Sequence, residues 1–318
     1  MPSSNTLLLI LILLIEVTFS TPTPVNNRYR KSPHSGVNLC PMRGPIVGAA
    51  LLLVLAASAT SPVWCQTDRG ADQLDSEFKG KILLLRGFYS GNDLEYDQNG
   101  VLRGTATQGP WTLANVEITK ITATAQGIAI VGNRMGTLYR GGKPGFVKVG
   151  KLKIEVTKPN SDADTEAELH RLFNKIFMES GEELRPLAPD YWQSYLAGSD
   201  SKSRSAAWRA TFVDNKNQVF TKSDATAGEV SAPHVVYLKN PNYTKEAASH
   251  HIEGISSLGT VIDSTGMASN IAILEPLGMG LDEQAILAIR QWKFQPAMKN
   301  GKPVRVQIEI QMDFRCCP

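Results

Sequence analysis

Cysteine is scarce in this chain of 318 residues, and its four cysteines avoid the body of the sequence. Cys40 and Cys65 lie near the beginning and Cys316 and Cys317 at the end, so residues 66–315 contain none. A small secreted domain held by disulfides carries its cysteines inside the folded region. The distribution therefore excludes a disulfide framework, and it leaves no cysteine–histidine spacing typical of a structural zinc site.

An excess of one charge sign is also missing. The chain has 33 basic and 30 acidic residues, and residues 1–59 hold four of the basic residues and only one of the acidic ones. The remainder is therefore neutral overall. Because a nucleic-acid binder needs clustered Lys and Arg to neutralise phosphates, this balance excludes nucleic acid as a partner. With 42% hydrophobic and 20% charged residues, the composition is also not that of a disordered chain.

Two apolar runs open the chain. Leu7–Ile15 is too short to cross a bilayer core of roughly 30 Å. The second run follows Met42 and ends in the small residues Ala57–Ala59, which predicts a secretory signal that begins at Met42 and is cleaved after Ala59. The alternative keeps Met1 as the start and makes Pro45–Val63 an inner-membrane anchor. Both interpretations deliver the rest of the chain across the inner membrane.

The sequence pattern of residues 76–160 predicts an antiparallel β domain. Short runs of branched and aromatic residues alternate there with turn sequences such as Asp97–Gly100, and Val147–Thr157 nearly alternates between apolar and polar residues. A helix should follow, capped by Asp164 and presenting an apolar stripe of Leu169, Leu172, Phe173, Ile176 and Phe177. Gly198–Ser205, rich in serine and charged residues, favours a hinge or loop.

Motifs of catalysis are absent from the sequence. It contains no nucleophile elbow and no phosphate-binding loop. His250 and His251 are neighbours on a predicted helix, about 100° apart around its axis, so they do not chelate one metal ion. We therefore expect no enzyme, no cofactor, no metal and no small-molecule substrate.

The C-terminal part carries an ordered set of motifs. These are Asn240–Tyr243, the hairpin turn Asp263–Gly266, Gly280–Ala285 at the start of a helix, Trp292–Ala297, and Asn300–Val304 before an alternating strand. Together they resemble the TonB C-terminal domain over residues 231–314, about a quarter of the chain. The resemblance implies an α+β fold, in which the N-terminal β domain is followed by a two-layer domain of three antiparallel strands and two helices.

The resemblance also implies a function in the Gram-negative cell envelope. A TonB C-terminal domain binds the short extended TonB box of outer-membrane transporters in energy-dependent transmembrane transport. The implied partners are thus an outer-membrane TonB-dependent transporter and the inner-membrane proton-driven motor proteins. Together with the patterns described above, the resemblance gives the predicted organisation: a leader at 1–65, the β domain at 76–160, a helical and hinge region at 161–230, and the TonB C-terminal domain at 231–314.

An edge strand is the natural binding element of such a sheet, because unpaired backbone groups there can accept an extended peptide. Val304–Met312 has a suitable length, and Pro303 suits the position just before an edge strand. The sequence therefore predicts a partner-binding edge composed of Val304, Arg305, Val306, Gln307, Ile308, Glu309 and Ile310. Alternation predicts that Val304, Val306, Ile308 and Ile310 face the helices and that Arg305, Gln307 and Glu309 face away.

A second function stays open beside the first. Neither apolar run contains the histidine of an energy-transducing TonB anchor, and a folded domain stands where such a protein has a long proline-rich spacer. The alternative is therefore a periplasmic adaptor or scaffold that binds peptides or envelope components without transmitting force.

Overall fold

The computed structural model of this protein describes residues 63–158, 165–179, 181–212, 219–221 and 230–315. Most of the predicted leader, the predicted cap Asp164, and Cys316 and Cys317 lie outside the described residues. In the described part of the chain, no helix is both long enough and apolar enough to cross a membrane.

The N-terminal sheet has seven strands in the order β3-β2-β6-β5-β4-β1-β7. The strands are β1 Ile82–Leu85, β2 Asp93–Tyr96, β3 Leu102–Arg103, β4 Asn115–Thr124, β5 Gly127–Arg140, β6 Lys143–Thr157 and β7 Phe177–Met178. On β6, Leu152, Ile154 and Val156 are buried while the residues between them are exposed, so one face of the sheet lines the core.

One strand pair corrects the expectation of a wholly antiparallel domain. β2 runs parallel to β6, with Leu94 beside Ile154 and Tyr96 beside Val156. The chain leaves β1 near one side of the sheet and crosses to the other side before β2 begins. This crossover brings β2 alongside β6 in the same direction, which a hairpin connection does not do.

Two helices cover this sheet. They are α1 Val63–Phe78 and α2 Thr165–Ile176. Phe78 of α1 stacks on Phe173 of α2, with ring centroids 4.3 Å apart. The predicted apolar stripe of α2 is confirmed, because Leu169, Leu172, Phe173, Ile176 and Phe177 are all at most 2% exposed.

Residues 181–212 form short helices, one of which occupies part of the predicted hinge or loop at Gly198–Ser205. They are α3 Gly181–Leu184, α4 Gln193–Ala197 and α5 Ser201–Ala210. The hinge prediction for Gly198–Ser205 is wrong, because Asp200 caps α5. Its carboxylate accepts the Ser203 N–H at 2.7 Å, and the Ser203 hydroxyl accepts the Asp200 N–H at 3.0 Å. Small polar residues that suit a linker also suit this reciprocal cap.

The C-terminal sheet is built on three long antiparallel strands, β10 Gly254–Ile262, β11 Ala268–Glu275 and β14 Lys302–Phe314. The order is β11-β10-β14-β13, with β13 spanning Ala297–Lys299, and the short β8 at Val219–Phe220 pairs with β14 as well. The remaining elements are β9 His234–Tyr237, β12 Lys293–Gln295, α6 Lys245–Ser249 and α7 Leu281–Ile289. β9 and β12 pair with each other in a separate two-stranded ribbon.

The two sheets meet at the loop that precedes α7. The Met279 N–H donates to the Thr137 carbonyl at 2.8 Å, and the Tyr139 N–H donates to the Leu277 carbonyl at 2.9 Å. Only glycine fits at Gly278, since a Cβ atom there would lie 2.1 Å from the Thr137 oxygen. All of the described residues belong to one compact unit, and one hydrophobic core runs through both sheets. The domain boundaries inferred from the sequence remain a prediction.

Candidate peptide-binding edge

Strand β14 contains all seven residues of the predicted binding edge. On one side it pairs with β10 from Val306 to Phe314, so that Val306 lies beside Ile262 and Ile310 beside Leu258. Between them lie Gln307, Ile308 and Glu309, opposite Val261, Thr260 and Gly259.

The other side of β14 is occupied at its beginning, which corrects the prediction for Val304, Arg305 and Val306. Val304 pairs with Ala297, because the turn at Asn300-Gly301 folds β13 back onto β14. Arg305 and Val306 pair in parallel with β8. These three residues are therefore not part of an open edge. Among the residues that the structure describes, no strand pairs with this side of Ile310–Phe314.

The alternation of faces along β14 is largely as predicted. Val306 and Ile310 are buried in the main core, while Glu309 and Gln311 are exposed. Gln307 is the exception, because it is only 8% exposed although it points to the predicted outer face. The reason is that this face is itself covered at Val261, the neighbour of Gln307 on β10.

The loop and first turn of α7 are held by the buried carboxylate of Asp282, which the sequence placed at the start of the helix without indicating its hydrogen bonds. Asp282 is fully buried and accepts three hydrogen bonds. Its donors are the Ser256 hydroxyl at 2.6 Å, the Leu277 N–H at 2.9 Å and the Gly278 N–H at 2.7 Å. Burial raises the pKa of Asp282 to about 6, against the lowering effect of these donors. Asp282 thus ties α7 to β10 and explains why an acid follows the glycine loop.

Comparisons with known proteins find a family match in the C-terminal part of the chain. Residues 239–316 match the family described as Gram-negative bacterial TonB protein C-terminal. This chain carries a TonB C-terminal domain. The protein TonB of Vibrio cholerae serotype O1 is 34% identical over 76 residues, which are 24% of this chain and 31% of that protein. The chain therefore spans less than a third of the length of that relative.

A solved structure also aligns with part of this chain. The solution NMR structure of the Pseudomonas aeruginosa TonB C-terminal domain is covered completely and aligns with 32% of this chain. Its sequence identity is 20% and its TM-score is 0.24.

The TonB C-terminal domain is joined to the preceding helices through a second acid of α7. Glu283 Oε1 accepts the indole N–H of Trp192 at 2.9 Å, and Trp192 is itself completely buried. Glu283 Oε2 is shielded from solvent and has no hydrogen-bond partner among the residues that the structure describes. Burial, together with the neighbouring charge of Asp282, raises the pKa of Glu283 to about 7. No pattern in the sequence paired Trp192 with Glu283, because they lie far apart along the chain.

The outer face of the domain's sheet is covered by α5. Trp208 packs with Val261, Ala272 and Leu274 in a small core separate from the main one. On the opposite face, Leu258, Ile262 and Ile273 belong to the main core with α7. The sheet is therefore covered on both faces around β10 and β11, while Glu309, Gln311 and Asp313 of β14 stay exposed.

Proposed function

We propose that this chain is a non-enzymatic protein of the Gram-negative cell envelope whose TonB C-terminal domain binds the extended TonB box of an outer-membrane transporter. Binding adds the box as a strand beside β14, at Ile310–Phe314, in energy-dependent transport. The observation that carries the proposal is the family match at residues 239–316, which includes the whole of this strand. The periplasm is the compartment where such a domain meets its transporter.

The energetics of strand addition suit a coupling that engages and releases. An extended peptide completes backbone hydrogen bonds at an edge, and each bond contributes about 0.5–1.5 kcal/mol net. A few such bonds therefore give a modest and reversible affinity. The pleat exposes Gln311 and Asp313 on one face, where they can meet side chains of the added strand.

A second candidate function is favoured by the junction between the sheets. The loop before α7 is hydrogen-bonded to β5 through Thr137 and Tyr139, so the TonB C-terminal domain is packed against the N-terminal sheet. An extended spacer would leave the domain free of such contacts. This observation favours a periplasmic adaptor or scaffold that binds an extended peptide without transmitting force from inner-membrane motor proteins.

Site-specific photo-crosslinking tests the binding edge. A benzoylphenylalanine residue is placed at Gln311 of the full chain, and a synthetic TonB box peptide is added. We expect a covalent adduct from Gln311, because its side chain is exposed beside the proposed strand. The matched control carries the same group at Lys151, an exposed strand position of the N-terminal sheet. Equal adduct formation at both positions, or none at Gln311, would contradict the proposal.

A further inference from the structure

Strand β9 is exposed along its whole length, which is unusual for an apolar strand. Val235, Val236, Tyr237 and Leu238 are 43%, 71%, 49% and 37% exposed. Monomeric proteins rarely leave contiguous apolar surface in water without a function for it. Isolated exposed apolar residues need no explanation, but four consecutive ones do.

The backbone of β9 is open on one side. β9 pairs with β12, with Tyr237 beside Lys293 and His234 beside Gln295. No other strand of the described residues joins this ribbon. The outer edge of β9 therefore presents N–H and C=O groups that an added strand can complete.

The apolar surface continues across the ribbon. Met267, which is 40% exposed, pairs with Lys293 on the side of β12 away from β9. The residues of β9, Leu238 and Met267 account for five of the eleven large apolar side chains exposed in the described parts of the chain. The apolar exposure is thus concentrated in one small group of paired segments, which we call the β9 ribbon (residues 234–238, 293–295 and 267).

The charge around the β9 ribbon has one sign. Residues 231–245 and 290–302 supply the two strands and their flanks, and they contain six basic and no acidic residues. Lys239 and Lys293 are both exposed at the ribbon. These basic residues outnumber Asp263, the acid of the turn before Met267, whose carboxylate accepts hydrogen bonds from the N–H groups of Thr265 and Met267. A second copy of the same ribbon would bring further positive charge to this edge, whereas an acidic strand would complement it.

We propose that β9 is a second strand-addition edge, which binds an extended segment of a partner protein that alternates apolar and acidic residues. Apolar side chains of the segment cover Val236 and its neighbours, and its carboxylates lie near Lys239 and Lys293. This site belongs to a different sheet from β14, so it is independent of the function proposed above. A chain with both edges holds two extended segments at once, which is the property of an adaptor.

The probe is a synthetic peptide of about eight residues, the length of an ordinary strand, that alternates valine and glutamate. Its binding to the full chain is measured by fluorescence anisotropy, and a peptide alternating valine and lysine is the ligand control. The test variant carries Lys239→Glu with Lys293→Glu. The matched control carries Lys120→Glu with Lys151→Glu, two exposed positions of the N-terminal sheet with the same change in net charge.

We expect the ribbon variant to weaken binding of the acidic peptide roughly tenfold, since two rim charges each contribute up to about 1 kcal/mol. The control variant should bind like the parent, and the lysine peptide should bind poorly. Hydrogen exchange of residues 234–238 should slow when the acidic peptide is added, while exchange of residues 310–314 stays unchanged.

Three results would overturn the inference. Slower exchange confined to residues 310–314 would assign the acidic peptide to β14, which leaves the proposed function intact. Equal affinity for the acidic and basic peptides would show that the positive charge of the β9 ribbon does not select its partner. Protection of residues 234–238 that grows with protein concentration, without peptide, would identify a second copy of the chain as the occupant.

Discussion

The indole ring of Trp208 lies over the backbone of Gly259. A Cβ atom at Gly259 would meet three carbon atoms of the indole at 2.8 Å each, a distance that real structures essentially never show. The indole N–H donates to the Asn270 carbonyl at 3.2 Å, which fixes the ring across β10 and β11. A helix outside the matched family region thus closes the second face of the TonB C-terminal domain.

Gly259→Ala should therefore lower the stability of the chain by about 1–3 kcal/mol, the usual cost of overpacking a closed core. The new methyl group displaces Trp208 and opens the small core beneath α5. The measurement is urea unfolding followed by tryptophan fluorescence. Gly150→Ala is the matched control, because the nearest atom to a Cβ there is 3.9 Å away. Equal unfolding midpoints for both variants would show that α5 does not pack on this strand.

Trp292→Ala should lower the free energy of unfolding by about 3–5 kcal/mol, the range for truncating a buried aromatic residue. Trp292 is 5% exposed, and its indole N–H donates to the Lys239 carbonyl at 2.8 Å. Trp292→Phe keeps one aromatic ring and removes the donor and part of the indole, so we expect a smaller loss of about 1–2 kcal/mol. Thermal unfolding of both variants checks this order, and a larger effect of the phenylalanine variant would refute it.

Glu283→Gln should raise the free energy of unfolding at pH 8 and change this free energy little at pH 5. Burial raises the pKa of Glu283 from 4.5 to about 7 in the folded state, so the folded chain holds a proton that the unfolded chain releases between these values. The contribution of Glu283 to the free energy of unfolding therefore falls as the pH rises from 4.5 to about 7. In the Glu283→Gln variant the side-chain amide oxygen still accepts the Trp192 N–H, while the charge penalty disappears.

The expected gain at pH 8 is about 1–3 kcal/mol, less than the full shift implies because part of the residue contacts solvent. Urea unfolding at pH 5 and pH 8 measures it. Glu275→Gln, at an exposed position of β11, is the control for removing a carboxylate. A gain that is equal at both pH values would mean that the charge of Glu283 does not oppose folding.

Gly278→Ala should weaken the junction between the two sheets by about 2–4 kcal/mol, since it combines a positive φ with overpacking. Gly278 has a φ of 91°, and its added Cβ atom would overlap the Thr137 carbonyl. We expect limited proteolysis to cleave the variant between the N-terminal sheet and α7 before the parent. Gly301→Ala, which also has a positive φ but open space around it, separates backbone strain from the clash. Identical proteolysis of the two variants would exclude the clash as the cause.

Local patterns predicted much of the fold. The stripe of α2 follows from helical spacing, and the alternation along β14 follows from the pleat. The TonB C-terminal domain could be predicted from the sequence because its motifs combine turns, a helix start and a strand in a fixed order. Each of these features depends on residues close together in sequence.

Pairings between strands that lie far apart in the chain were not predicted from the sequence. β8 contributes two residues to β14 from far earlier in the chain, and nothing in Val219-Phe220 marks them as a partner of Arg305 and Val306. The parallel pairing of β2 with β6 likewise depends on where the chain crosses the sheet. α5 was missed because Asp200 and its serines suit a linker and a helix cap equally.

Amide hydrogen exchange of the full chain, with and without a synthetic TonB box peptide, tests the central claim most directly. If the peptide adds as a strand to β14, exchange should slow in residues 310–314 and stay unchanged in Ile128–Val131 of the N-terminal sheet. Slower exchange in the ribbon residues 234–238 alone, or no change anywhere while the peptide is bound, would contradict strand addition at β14.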